Sequence, residues 1–475
     1  MLETQTREPS FAPALVTFLS VIATISIGLA VFHADLHLLM LIALAIVIVS
    51  ALMVTRRTPL EIVRAIGEGL WEARTALVIF VLIGALIAAL IQAGTVATLI
   101  HWGVTLISPT WFLPAALILS CLMSIATGTA WGTAGTAGVV LIGIGAAMDI
   151  PLPLVAGVVV SGAAFGDKMS PVSDTTNLAA MAADTDLYRH IRSMTYTTGP
   201  TLLIVAVAYT LTGMVLGANP LPQAQLQTLT GAIASHYHVG WVTAIPFLVL
   251  IGFGLARVKA VWSMLAATVT AIVLGWLYQG TALGEILRAL WSGGHANTGV
   301  ETIDDLFSRG GVTSMWFTLV LSVQALALGA MLSRFGYMHT IIEGLLRRVQ
   351  RVGSLVATTI GAALVGNLGM GEAYMSIVLG GQLFRDEYDR RGVDRAVLSR
   401  CLEEGATLTT PLIPWTTAGV FFAGTLSVPT IEYLPYAWLN LLNPLVGVLF
   451  AYLGWGLLRS KGRVTAPGVG DTRVA

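Results

Sequence analysis

The amino-acid sequence predicts an all-α polytopic membrane protein of two inverted-topology repeats, residues 1–230 and 231–475, each with a re-entrant hairpin and a broken transmembrane helix. Three observations carry that prediction. The 475 residues are 56% hydrophobic and 11% charged, with a mean hydropathy of +0.83, whereas a soluble domain carries about 25% charged residues. Lys and Arg crowd into alternate loops. Polar stretches rich in Gly and Pro interrupt the apolar runs at related places in the two halves.

Apolar runs recur at about 11–32, 36–54, 76–99, 111–148, 152–183, 195–217, 240–255, 258–279, 313–334, 354–384, 394–425 and 434–457, as expected of repeated bilayer crossings. Four of these, 111–148, 152–183, 354–384 and 394–425, are interrupted, and 111–148 is also long. The stretches TRRTPLEIVRAIGEGLWEAR (55–74) and LGEILRALW (283–291) read as amphipathic connectors lying in the interface. The start, MLETQTREPSFAPALV, has neither the basic start nor the small-residue cleavage site of a signal peptide, so the first run is read as a retained helix. Cys121 and Cys401 cannot make a disulfide framework and are read as packing residues. His33, His37, His101, His190, His236, His238, His295 and His339 fall in loops or at span ends without zinc-ligand context, and no role is assigned to them.

Positive charge orients the spans. Arg56, Arg57, Arg64 and Arg74 follow the second run, Arg189 and Arg192 the fifth, and Arg257 and Lys259 the seventh. Arg334, Arg347, Arg348 and Arg351 follow the ninth, and Arg459, Lys461 and Arg463 the last. The loops 33–35, 100–110, 218–239 and 426–433 carry no Lys or Arg, and only 280–312 is mixed. Cytoplasmic loops collect Lys and Arg, which puts both termini in the cytoplasm. The assignment stays consistent only if 111–148 enters and leaves on the outside. Likewise 354–384 must enter and leave on the inside, since Arg385, Arg390, Arg391 and Arg395 follow it. Each half then makes an odd number of crossings, and the second half is inverted relative to the first. Internal similarity points the same way: at an offset of 240 residues MSPVSDTTNLA (169–179) lies over TTPLIPWTTAG (409–419), setting Pro171 on Pro411 and Thr176 on Thr416. Inverted repeats place substrate sites near the midplane, at helices broken by Gly and Pro.

The chemistry concentrates in FGDKMSPVSDTTNLAA (165–180). Pro171 has no N–H and disfavours helix in the residues before it, so backbone groups are freed at bilayer depth. Those groups must be satisfied internally or line a wet cavity. A charged side chain at a helix centre costs about 2.5–3.5 kcal/mol on insertion scales, so Asp167, Lys168 and Asp174 are costly together. One reading makes Lys168 the buried partner of an aspartate. It leaves the other aspartate beside Ser170, Ser173, Thr175, Thr176 and Asn177. Hard oxygen ligands at a helix break suit a small cation such as Na⁺, and a carboxylate there binds either the cation or a proton. Asp174 is the first choice for that contested carboxylate, with Thr176 and Asn177 as further ligands. At the outer hairpin tip, TGTAWGTAGTAG (127–138), Thr127, Thr129 and Thr133 offer hydroxyls, although close packing by small residues also explains such a pattern. In the second half Asn367 and Glu372 lie at the inner hairpin tip, and Thr410, Thr416 and Thr417 at the second break. Glu403 and Glu404 precede that break and read either as charge counterparts or as caps at the cytoplasmic interface.

GAAFGDKMSPVSDTTNLA (162–179) resembles the signature of the NhaC family of Na⁺/H⁺ antiporters, in the ion transporter superfamily, and ATGTAWGTAG (126–135) and TPLIPWTTAG (410–419) resemble that family's other motifs. The likeness runs along essentially the whole chain. It implies Na⁺ extrusion driven by proton entry across a bacterial plasma membrane, with exchange of organic acids such as malate and lactate in some members. The chain departs from the family pattern at Glu372-Ala373-Tyr374, Gly380 and Thr416, all in the second half.

The expected function is secondary exchange of Na⁺ for H⁺, and the alternative is sodium-coupled transport of a small carboxylate. No enzyme is expected: FGD resembles an intramembrane protease motif, but position 164 is Ala and Tyr388-Asp389 lies in a cytoplasmic loop. No cofactor is expected beyond the transported ions. The partners are sodium ion, proton, a small carboxylate in the alternative reading, and the lipid bilayer, with no nucleic acid; a homodimer is compatible with this class.

Overall fold

The computed structural model describes residues 8–217, 223–294, 304, 307–347, 349 and 351–459. Arg348, Lys461, Arg463 and His295, used in the charge and histidine readings, lie outside the described residues. Among those described the chain is helical throughout, apart from one β-bridge between Val393 and Arg459. Among the described residues ten helices are long and apolar enough to cross a bilayer. They are Phe11–Ala30, Leu36–Met53, Arg74–Gln92, Pro109–Thr127, Ala130–Ala147, Leu152–Met169, Leu187–Leu216, Ala260–Leu277, Val312–Arg334 and Val352–Met370, and the runs at 240–255, 394–425 and 434–457 hold shorter or broken helices instead.

The amphipathic connectors are helices too. Pro59–Glu72 starts with a capping box, in which the Thr58 side chain accepts from Glu61 N–H and the Glu61 carboxylate accepts from Thr58 N–H, and it has Pro59 at its first position. Helices also fill stretches expected as loops or as part of a longer span, Gln223–His236 among them. Gly94 takes φ +72° and turns the end of Arg74–Gln92 straight into Thr95–Leu106; Gly336, at φ +83°, does the same before Tyr337–Leu346. A left-handed glycine lets an apolar run continue in a new direction, which hydropathy alone does not register.

Element starts recur along the chain at a fixed spacing. Pro109 and Val352, Ala130 and Ala373, Leu152 and Arg395, Asp174 and Thr417, and Leu187 and Thr430 each open helices 243 residues apart. Arg74 and Trp316, and Thr95 and Tyr337, are 242 apart, whereas Leu36 and Ala260, and Pro59 and Leu283, are 224 apart. The second half thus carries 18 extra residues between its amphipathic helix and its next span. This spacing corrects the 240-residue offset read from sequence. Pro171 corresponds to Pro414, the proline that follows a helix end in extended backbone, and Ser173 rather than Thr176 corresponds to Thr416. TTPLIPWTTAG holds two prolines, and Pro411 sits inside a 3₁₀ turn.

The halves are interleaved. Leu36–Met53 and Pro59–Glu72 pack on Trp316–Arg334, and reciprocally Ala260–Leu277 and Leu283–Ser292 pack on Arg74–Gln92. Arg334 pairs with Glu68 and Glu72, closing the first of these contacts. The core around the first hairpin includes Leu250, Met264 and Ala267, and the core around the second includes Phe18, Val21, Met40 and Val47. Small residues allow the tightest approach, as expected where lipid supplies no hydrophobic drive between helices. Cβ atoms added at Gly162 and Gly166 would lie 2.5 and 2.4 Å from the Cβ atoms of Ser120 and Ser124, and Ser124 Oγ donates to Ala163 O at 2.6 Å.

Candidate functional site

The first break opens after Met169. Ser170 leaves the helix in extended backbone (φ −80°, ψ 127°), and Ser173 is the N-cap of Asp174–Ala182. The freed carbonyls are satisfied by nearby side chains. Thr176 Oγ1 donates to Asp167 O (3.0 Å) and Lys168 O (2.9 Å), and Asn177 Nδ2 donates to Pro171 O (3.1 Å) and Ser173 O (2.7 Å). In this state Thr176 and Asn177 staple the turn. Ser170 Oγ donates to Ile125 O at 2.8 Å, fixing the break to the first hairpin.

Asp167 is half-buried, and its Oδ1 accepts from Ser173 Oγ at 2.5 Å while the Ala130 N–H at the hairpin tip also reaches its carboxylate. Ser173 Oγ is in turn 3.1 Å from Thr175 Oγ1. Asp174, at the first position of its helix, is exposed and forms no ion pair among the described residues. At the tip, Gly128 has φ +68°, and a Cβ there would sit 3.1 Å from Val172 C. The hydroxyls of Thr127 and Thr133 donate to their own helices, to Met123 O (2.9 Å) and Thr129 O (3.0 Å), and Thr129 Oγ1 caps Gly132 N–H at 3.4 Å.

The second half repeats the backbone geometry with different side chains. Thr129 has φ −150°, ψ 126°, and Glu372 has φ −149°, ψ 130°, each following a left-handed glycine. Glu372 is the N-cap residue of Ala373–Arg390 without a side-chain capping bond, and its Oε2 accepts from Thr417 Oγ1 at 2.5 Å. Thr417 N–H donates to Gly371 O at 3.0 Å, so tip and break are joined directly. Thr416 Oγ1 donates to Thr410 O (2.6 Å), and Thr410 Oγ1 donates to Ala406 O (2.7 Å). Asn367 braces the π turn Glu403–Thr407 through Ala406 O (2.7 Å) and Thr409 Oγ1 (2.9 Å).

The two breaks meet. Asp174–Ala182 packs on Ala373–Arg390 and on Arg395–Leu402, and Arg385 Nη2 donates to Ala182 O at 2.6 Å. The Tyr374 phenol stands within electrostatic range of Asp167, Glu372, Asp174 and Glu403. Carboxylates from both halves therefore share the neighbourhood of Tyr374, where the helix after the first break packs on the helix after the second hairpin tip.

Behind this acidic cluster lies a buried charge network. Lys168 is fully buried; its Nζ donates to Asn443 Oδ1 at 3.0 Å and is 3.6 Å from Glu404 Oε1. Glu404 Oε1 also accepts from Thr197 Oγ1 at 2.5 Å and lies 3.9 Å from Arg400 Nε. Arg400 Nη1 donates to the carbonyls of Ser193 (3.2 Å) and Gly456 (3.0 Å). Thr198 Oγ1 joins at Asn443 Oδ1 (3.2 Å), and Gly447 leaves room for Glu404, since a Cβ there would be 2.2 Å from Oε2. Lys168 thus takes its partner from the other half of the chain, not from a neighbouring aspartate. Glu403 and Glu404 are fully buried and do not cap an interface. His190, placed in a loop by the sequence reading, is buried with Nδ1 at 2.7 Å from Ser399 Oγ.

Arg400 and Asn443 escaped the sequence reading. Arg400 carried a usable signal: it stands four residues before Glu404 inside an apolar run, where an unpaired charge is too costly to keep. Asn443 carried only a weak one, as a polar residue beside Pro444 in an otherwise apolar closing helix.

The sequence profile of the Na⁺/H⁺ antiporter family matches residues 6–176 and 162–455, the two matches overlapping on the first break. A malate-2H(+)/Na(+)-lactate antiporter of Bacillus subtilis is 34% identical over 397 residues, covering 83% of this chain and 84% of that one. The Na(+)/H(+) antiporter NhaC of Alkalihalophilus pseudofirmus is 36% identical over 394 residues, covering 83% and 85%. The arginine/ornithine antiporter ArcD of Halobacterium salinarum is 33% identical over 451 residues, covering 94% and 93%.

Proposed function

The chain belongs to the Na⁺/H⁺ antiporter family, and from that premise we propose that it exchanges Na⁺ for H⁺ at the contact of its two helix breaks. The observation that carries this reading is the gathering of Asp167, Asp174, Glu372 and Glu403 around Tyr374. An excess of carboxylates at membrane depth demands positive counter-charge, and a proton or a small cation supplies it. Asp167 and Asp174 are the carboxylates the two ions contest. Asp174 is open to an arriving ion, and Asp167 is held behind it by Ser173 and the Ala130 N–H. Thr175, Thr176 and Asn177 line the same turn, and hydroxyl and amide oxygens released from their present hydrogen bonds complete a shell for Na⁺. On the other side of the contact, Glu372 and Thr417 offer the equivalent carboxylate and hydroxyl.

The recurring 243-residue spacing supports two repeats divided near residue 230. The alternation of Lys and Arg between loops supports their opposite orientation, re-entrant hairpins and cytoplasmic termini in a bacterial plasma membrane. Alternating access then follows from one hairpin tip opening while the other stays shut. Sodium-coupled carboxylate movement is the second reading, favoured by the malate and lactate named for the Bacillus subtilis relative.

Purified protein in proteoliposomes with an imposed pH gradient tests the proposal. Addition of Na⁺ alone should collapse the gradient, with Li⁺ and K⁺ as the selectivity series. Collapse by malate or lactate with Na⁺, but not by Na⁺ alone, overturns antiport of the bare cation in favour of the second reading.

A further inference from the structure

Three aromatic rings close on one another where the halves meet a second time. Trp131 and Phe421 stack with centroids 4.5 Å apart and planes at 14°, and Phe80 lies 5.5 Å from each. The rings come from three elements: Arg74–Gln92, the first hairpin tip, and Thr417–Leu426, the helix after the second break. Phe80 and Phe421 have no exposed surface, and Trp131 is half-buried. Offset and tilted rings at such distances attract one another and leave no room for water between them.

A cavity of about 290 Å³ is bounded by the same three elements, through Ile87, Val139 and Thr425. Each of these residues follows its ring along the chain, so the cavity lies toward one end of all three elements. The order is plainest on Thr417–Leu426. Thr417, Phe421 and Thr425 stand four residues apart on one helix face, about 6 Å per step along the axis. Thr417 bonds to Glu372 at the second break, Phe421 belongs to the stack, and Thr425 lines the cavity. The Thr425 hydroxyl is buried there without a hydrogen-bond partner. One helix face thus carries the break, the stack and the cavity in sequence.

The counterpart contact is built differently. The 243-residue spacing sets Trp131 on Tyr374, Thr417 on Asp174 and Phe421 on Leu178. Among the described residues no ring stacks on Tyr374, which is 42% exposed, and Asp174 on the helix packed against it is exposed as well. One contact is sealed by aromatics and its equivalent is not.

We propose that Phe80, Trp131 and Phe421 form a closed gate between the contact of the two breaks and this cavity, which is the mouth of the transport path on that side. Trp131 must part from Phe421 for the path to open, as the first hairpin tip moves off the helix after the second break. The gate gives residues to the alternating access of the proposed function and rests on that part of it.

Thiol labelling tests the gate without transport. Single cysteines replace Thr313, exposed on the cavity wall, or Thr417, buried beyond the rings, in a background lacking Cys121 and Cys401. A membrane-impermeant methanethiosulfonate is added on the side from which it labels Thr313→Cys. Thr417→Cys should react at least tenfold faster when combined with Phe421→Ala, and within twofold of its original rate when combined with Trp131→Phe, which keeps a ring. Thr313→Cys should react equally in every background. Thr417→Cys reacting as fast with the rings as without them overturns the gate. A lock gives the second measurement. In the protein carrying Trp131→Cys with Phe421→Cys, a short bifunctional thiosulfonate should stop Na⁺-driven proton movement, and dithiothreitol should restore it. Transport unchanged by the cross-link also overturns the gate. Unaltered protein that moves no protons with Na⁺ defeats the antiport reading instead, and the labelling rates then decide the gate alone.

Discussion

Removing both sides of the Lys168–Glu404 pair should cost far less than the sum of removing each. Lys168 and Glu404 have no exposed side-chain surface, and they lie 3.6 Å apart. Breaking a buried pair by neutralising one partner typically costs about 3–5 kcal/mol, because the surviving charge is left in a low-dielectric interior. At about 1.4 kcal/mol per tenfold, that is roughly two to three and a half powers of ten in the folding equilibrium. The two single changes should not be equal. Lys168→Met leaves Glu404 with Arg400 Nε at 3.9 Å and the Thr197 hydroxyl at 2.5 Å. Glu404→Gln strips the carboxylate from both Lys168 and Arg400, so it belongs at the upper end of the range. In the double variant Lys168→Met with Glu404→Gln the orphaned charge at Lys168 is gone, and the loss should fall well below the sum of the singles. SDS-driven unfolding in mixed micelles reads these free energies directly. Pairing Lys168→Met with Asp167→Asn should bring no such relief, since Asp167 bonds to Ser173 and not to Lys168. Additive losses for the Lys168 and Glu404 pair, or a rescue by Asp167→Asn, would refute the assignment of partners.

Four further outcomes are expected. Asp174→Asn and Asp167→Asn should each cripple sodium-driven proton movement while the protein still reaches the membrane, and wild-type transport by Asp174→Asn would leave that residue only a structural part. Because Na⁺ and H⁺ contest a carboxylate, the apparent KM for Na⁺ should rise as pH falls, approaching tenfold per unit where one proton competes; a KM that stays flat across the active range means separate sites. Thr176→Val leaves the carbonyls of Asp167 and Lys168 without their donor, for a loss of about 1–3 kcal/mol in the same unfolding assay, whereas Thr176→Ser should be close to neutral. Single cysteines at Thr129 and Tyr374, in a background lacking Cys121 and Cys401, should react from opposite faces of the membrane; reaction of both from one face defeats the inverted arrangement. Gly128 and Gly369 are poorer labelling positions, the first for its φ of +68° and the second for a Met338 sulfur 2.6 Å from any added Cβ.

Span positions were legible because apolar length and Gly or Pro interruption act locally. The chain breaks where Pro171 and Pro414 forbid a continuous helix, and it turns at Gly128 and Gly371, as the Gly-rich tips suggested. The polar character of the first break was equally plain, since each of Asp167, Lys168 and Asp174 is too costly to be incidental. Partner choice was not legible. Lys168 and Glu404 are separated by 236 residues, and neither hydropathy nor charge count joins them. Nor does one-dimensional reading distinguish a hydroxyl that would bind an ion from one that donates to its own helix, as Thr127 and Thr133 do here. The 240-residue offset between the two motifs differs by three from the 243-residue spacing of helix starts, because TTPLIPWTTAG offers two prolines and only backbone conformation picks Pro414.

The reciprocal packing of the early helices of each half on the other half constrains how the chain is made. Phe11–Ala30 and Leu36–Met53 leave the ribosome long before Met338, Ile341 and Leu355 of the same apolar core, which are about 300 residues behind them. At about 5–20 residues per second, these helices wait in the bilayer for tens of seconds before their neighbours arrive. The first hairpin likewise lacks its Leu250 and Met264 flank until the second half has begun to insert. The cores thus stay incomplete until helices of both halves have inserted. A chain cut in the stretch before Ile245 and expressed as two fragments should therefore recover its fold only when both are made together in the same membrane.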